Sequence, residues 1–233
     1  MNALQNSQIS SRATLLSATA VLVANHFNLS IFHPLWFSKF KILREDELEQ
    51  NVLISPALVV VPTSKFHLTL LPERAQMQFN ASSYSEAAVE LLRVIGGIVK
   101  TLPHTPYTAV GFNFDCVLVA PEGAPFPEWD RSSFAAPRLR SAKGTEAQDA
   151  RFGAYASFNV SGARLKANLL PVHQSAIQPG LPESDDSQTE KMHINLNYHR
   201  DIPQPADPES VLQILDKWGS TFDHACEFIR SLE

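Results

Sequence analysis

The stretch Lys191-Met192-His193-Ile194-Asn195-Leu196-Asn197-Tyr198-His199-Arg200 decides the fold. Met192, Ile194, Leu196 and Tyr198 fill alternate positions, and His193, Asn195, Asn197 and His199 fill the gaps between them. A period of two marks a half-buried strand with one face on a core and one in water. A single wet face belongs to an antiparallel sheet, because parallel sheets are covered on both sides. Downstream the period changes. Asp207 suits an N-cap, Pro208 the first helical position and Glu209 the positive end of the helix dipole. Val211, Leu215, Trp218, Phe222, Cys226 and Ile229 follow at spacings of three and four, which predicts an amphipathic helix over 208–231.

Upstream, Tyr107 to Ala120 is the longest strand candidate, with Val110, Phe112, Phe114, Cys116 and Leu118 on one face and Asn113 and Asp115 on the other. Arg151 to Val160 and Arg164 to Leu170 read as strands turned by Gly162. Phe66, Leu68 and Leu70, then Ala75, Met77 and Phe79, read as a hairpin broken at Pro72 and Glu73. Ser83 and Glu86 form a capping box ahead of the stripe Ala88, Leu91, Leu92, Ile95 and Val99, which predicts a helix over 84–100. Gly96 and Gly97 weaken its end unless close packing needs them. Near the N-terminus, Val21, Val23, Phe27, Leu29 and Ile31 are expected to share one strand face, with Pro34 ending the strand. Arg44 to Gln50 is charged and expected to be exposed. Residues 121–150 and 171–190 are expected to be long loops, and 1–12 a loose polar arm.

The element order is therefore strands, helix, strands, helix. This predicts an α+β fold of mainly antiparallel sheet with two principal amphipathic helices. The boundaries suggest a unit over 1–104 and another over 105–233, packed as one compact domain. A tandem pseudo-repeat follows from element order alone, since the halves share no residue-by-residue identity.

Bulk properties narrow the function classes. The chain has 233 residues, 44% hydrophobic, with a net charge of −5. Nucleic-acid binding needs about 6–10 concentrated phosphate contacts, and 19 Lys and Arg spread along an acidic chain oppose it. Cys116 and Cys226 are too few for a disulfide framework and read as buried thiols in a reducing, cytoplasmic setting. The run Ala13 to Ala24 imitates a secretory signal, but its basic flank is only Arg12 and the run is rich in Ser and Thr. No stretch reaches the roughly 20 apolar residues of a membrane span. Phosphate-loop, nucleophile-elbow, zinc and calcium motifs are absent from the sequence, so no cofactor and no metal are expected.

Two places carry candidate chemistry. His193, Asn195, Asn197 and His199, with Asn113 and Asp115, would form one imidazole- and carboxamide-rich sheet face. It either grips a ligand or partner, with a His as general base near Asp115, or is an ordinary solvated face. His193 and His199 lie about 20 Å apart on one strand and cannot share a metal ion. The stretch 131–151 holds Arg131, Arg138 and Arg140 near Trp129, a candidate partner loop and, as a second alternative, a weak nucleic-acid contact. The leading expectation is a non-catalytic binding or assembly protein, acting on a protein partner or on a copy of itself. The alternative is a small-ligand enzyme or sensor on the His/Asn/Asp face.

Overall fold

The structure is a computed structural model that describes residues 8–48, 52–147, 149–173 and 190–233, with the backbone alone at 81–83. Among the described residues, nine strands form one sheet, and every pairing in it is antiparallel. In chain order they are β1 (Ala13–Ala24), β2 (Leu53–Ile54), β3 (Val59–Pro62), β4 (Phe66–Leu71), β5 (Arg74–Phe79), β6 (Tyr107–Leu118), β7 (Ala154–Val160), β8 (Ala163–His173) and β9 (Glu190–Asp201). Their spatial order is β2-β3-β4-β5-β1-β6-β9-β8-β7. The α+β fold with an antiparallel sheet is thus as the period-two stretches predict. The order reads alike outward from the β1–β6 pair, which is a statement of topology and not of matched residues.

Helices α1 (Pro34–Lys39), α2 (Glu45–Leu48), α3 (Ala87–Thr101), α4 (Phe126–Phe134), α5 (Pro137–Arg140), α6 (Pro208–Leu215) and α7 (Trp218–Arg230) complete the elements described. Asp207 caps α6 through the amides of Glu209 and Ser210, as its position predicts. The single helix expected over 208–231 is instead two, parted at Asp216 and Lys217. The expected capping box does not start α3: a 3-10 turn spans Ala81–Glu86, and Glu86 pairs with Lys65.

One face of the sheet carries the core. In register across five strands it presents Leu68, Met77, Ala20, Phe112 and Tyr198, all buried. The helical layer rests on this face. Trp218 of α7 lies 5.0 Å from the Phe79 ring, 5.1 Å from Phe112 and 5.3 Å from Phe114. These rings belong to β5 and β6, which flank β1, so the indole crosses β1 where Ala18 and Ala20 leave room for it. Small residues on the central strand are what let the helix come so close.

The N-terminal region departs most from expectation. The strand is Ala13–Ala24, not a run beginning at Val21, and Ala18, Ala20 and Leu22 face inward while Val21 and Val23 are only half-buried. The chain then turns at Leu29–Ile31 and packs Phe27, Phe32, Phe37 and Ile42 into the core. Glu47, expected to be exposed, is buried. It lies 2.6 Å from Arg93, which also reaches Glu90 at 2.5 Å. Gly96 and Gly97 serve close packing, but against other elements than a sheet. A Cβ at Gly96 would stand 3.2 Å from Leu212 of α6, and one at Gly97 would stand 3.1 Å from Ile42.

Two loop expectations also change. Residues 121–150 hold α4 and α5. β8 runs on through Pro171 to His173. Proline is tolerated there because β7 begins only at Ala154, opposite Leu169, so beyond it no described strand pairs with that side of β8. Residues 174–189 of the expected loop, and residues 1–7 of the expected arm, lie outside the described residues, and Glu190 already belongs to β9.

Candidate functional site

The face opposite the helices is built by the out-of-phase residues of the same strands. Register places Gln78, Thr19, Asn113, Asn197 and Lys166 in one row across it. Ser17, Asp115, Asn195 and Asn168 form the next row. Most of these side chains are half-buried or exposed, and Thr19 is buried. Polar groups therefore face water over most of this surface.

The structure brings the predicted residues together in pairs. Asp115 accepts hydrogen bonds from the Ser17 hydroxyl at 2.8 Å and the Asn195 amide at 2.8 Å, and His193 Nε2 stands 3.3 Å from it. Burial alone would raise the Asp115 pKa. The bonds from His193, Asn195 and Ser17 outweigh that and hold the carboxyl below its ordinary value. Asn197 donates to Asn113. His199 turns away from this cluster to Asp201, 3.0 Å from its Nε2. So four of the six face residues bond one another across the β6–β9 ladder, His193 joins them through Asp115, and His199 stands at the strand end.

A general base must hold a proton strongly enough to take it. The Asp115 carboxyl, held low, is a weak base, while His193 stands beside it. The cross-strand contacts do what such pairs do in any sheet, which is fix register.

The partner-loop residues behave differently. Trp129 packs inside, 5.5 Å from the Phe126 ring and 5.3 Å from Phe134, with the Arg12 guanidinium 5.4 Å over it. It offers little surface. Arg131 donates to the Ala147 carbonyl at 2.9 Å and lies over Phe152. Arg140 donates to the carbonyls of Ala135 and Ser132 at 2.9 and 2.6 Å. Their forks fasten 126–147 to itself. Arg138 is exposed.

Compared with known proteins, the chain matches no family model and no curated sequence. Among the described residues, no helix is long and apolar enough to cross a membrane.

Sequence reasoning passed over two features. One is the sheet edge at β7, whose Ala154–Val160 contains neither a charge nor a proline. The other is Arg200, which continues the inward series Met192, Ile194, Leu196 and Tyr198 and is buried like them. The signal was present: the period of two carries position 200 to the core side. A charge at a strand end is normally read as exposed, and that habit hid it.

Proposed function

We propose that the protein is a non-catalytic assembly protein that joins a second copy of itself, strand to strand, along β7. The observation that carries this reading is the character of that edge. β7 ends the sheet order, and its seven residues are Ala-Tyr-Ala-Ser-Phe-Asn-Val. Sheet edges are normally protected by lysine, proline, bulges or brevity, because unpaired amides and carbonyls recruit other strands. The opposite edge, β2, is protected by brevity, at two residues. Among the described residues β7 has none of these protections, and Tyr155 is 65% exposed on it. An antiparallel β7–β7 contact is self-complementary and closes as a two-fold dimer.

Sedimentation velocity over a concentration series tests this. The wild-type chain should exchange between monomer and dimer, and Tyr155→Lys should hold it monomeric by placing a charge on the edge. A wild-type chain that stays monomeric at the highest concentration overturns the reading, as does a dimer that Tyr155→Lys leaves intact.

One observation favours the alternative of a small-ligand site on the wet face: the 3.3 Å pair of His193 and Asp115. Replacing both His193 and His199 with Ala should then abolish binding of that ligand, and unchanged binding would remove the alternative. A nucleic-acid contact through 131–151 has less support, since Arg131 and Arg140 spend donors on the chain's own carbonyls.

A further inference from the structure

Among the described residues, Arg200 is a buried cation without an anion. It is 7% exposed, and no carboxylate among the described residues pairs with it. Its guanidinium lies 5.5 Å from the centroid of Phe112, and Nη2 donates to the Thr221 hydroxyl at 3.0 Å. Nη1 is buried with no hydrogen-bond partner. Desolvating a charge and leaving one of its donors unsatisfied is strongly unfavourable, so such groups are normally paired. Burial accordingly pulls the guanidinium pKa down, against the influence of Tyr198.

A cavity of about 370 Å³ lies beside it, between the β7–β8 turn, the end of β9 and α6. Arg200, Lys217, Ser161, Ser210, Gln213 and Asp201 are among the residues that line it. Lys217 is exposed and makes no ion pair among the described residues. The one carboxylate, Asp201, is 91% exposed and sits 3.0 Å from His199. Ser210 gives its hydroxyl proton to Asp207, while Ser161 is exposed at the turn. Two cations and one solvated carboxylate thus border the cavity, with Ser161 and Gln213 beside them.

We propose that this cavity binds a phosphate group, free or as the monoester of a small molecule. Arg200 and Lys217 supply the charge, and Ser161 and Gln213 supply directed hydrogen bonds. A donor set this large suits the three terminal oxygens of a phosphate better than the two of a carboxylate. The volume lies within the range of small-molecule sites, so there is room for a group esterified to the phosphate. The site is independent of the β7 edge, and a monomeric chain would still bind.

Calorimetric titration of the 233-residue chain with inorganic phosphate and with glycerol phosphate, at matched ionic strength and with chloride as the blank, tests the proposal. Saturable one-to-one binding is expected. Equal affinities identify the free ion as the ligand, and tighter glycerol phosphate identifies an ester. Lys217→Ala, on an exposed side chain, should weaken binding about tenfold without moving the melting curve. Arg200→Lys should weaken it further. No saturable heat with either probe, or equal binding by wild type and Lys217→Ala, overturns the proposal.

Discussion

At the residue scale, Asp115 and Glu90 should make the protein acid-labile. Burial opposes ionisation of Glu90, but bonds from Lys65 at 3.0 Å and from Arg93 outweigh it and leave its pKa lowered, as for Asp115. A carboxyl held low in the folded state contributes stability that is complete above its unfolded value, about 4. That contribution is lost as pH falls through the lower folded value. Asp130 runs the other way: burial raises its pKa, the Phe152 amide only partly offsets that, and one of its oxygens has no partner. Its contribution favours the protonated form and shallows the slope. Urea melts repeated from pH 6 downward should show stability falling below about pH 4. Asp115→Asn should flatten part of that slope, and Asp115→Ala should cost about 1–3 kcal/mol at neutral pH by leaving Asn195 and Ser17 unpaired. Glu90→Gln should cost about 3 kcal/mol, because Arg93 and Lys65 lose a buried counter-charge. The wet-face residues were legible in sequence because alternation alone puts them there. The Glu47–Arg93–Glu90 network was not, because its members are 46 and 3 residues apart and local pattern does not record which charges meet.

At the element scale, the contact between α7 and the middle of the sheet is the sharpest test. Trp218→Ala removes a ring touching Phe79, Phe112 and Phe114, and a loss of about 3–5 kcal/mol is expected in chemical denaturation. Ala20→Leu should cost about 1–3 kcal/mol for the opposite reason, since it fills space the indole occupies. A cost near zero for Ala20→Leu would show that the indole does not cross β1. At α3, Gly96→Val should destabilise, because a Cβ there already meets Leu212 at 3.2 Å. These details explain what the sequence hid. β9, β6 and α6 alternate large apolar with polar residues, or carry a strong cap, so they read clearly. β1 is legible only in part: Leu15 and Leu22 face inward, but between them the inward residues are Ala18 and Ala20, scarcely more apolar than Ser17 and Thr19, and a register shift between Leu15 and Ser17 breaks the period of two. The break at Asp216 and Lys217 interrupts a stripe whose spacing continues across it, so periodicity alone joins the two helices.

At the scale of the whole molecule, the sheet has unequal ends, and the type of force at β7 sets how assembly should respond to solution conditions. The chain carries −5, so two copies repel at long range. Yet β7 itself has no charged residue, and pairing there would rest on backbone hydrogen bonds and on burial of Tyr155. Salt shortens the screening length from about 10 Å at 0.1 M to about 3 Å at 1 M. It should remove the repulsion while leaving the strand pairing untouched, so dimerisation should hold or strengthen as salt rises. Assembly through Arg131, Arg138 and Arg140 onto an acidic surface would instead weaken steeply. Sedimentation equilibrium at the two salt concentrations separates these outcomes, and a dimer that dissociates at high salt would move the interface from the β7 edge to the arginines of 131–140.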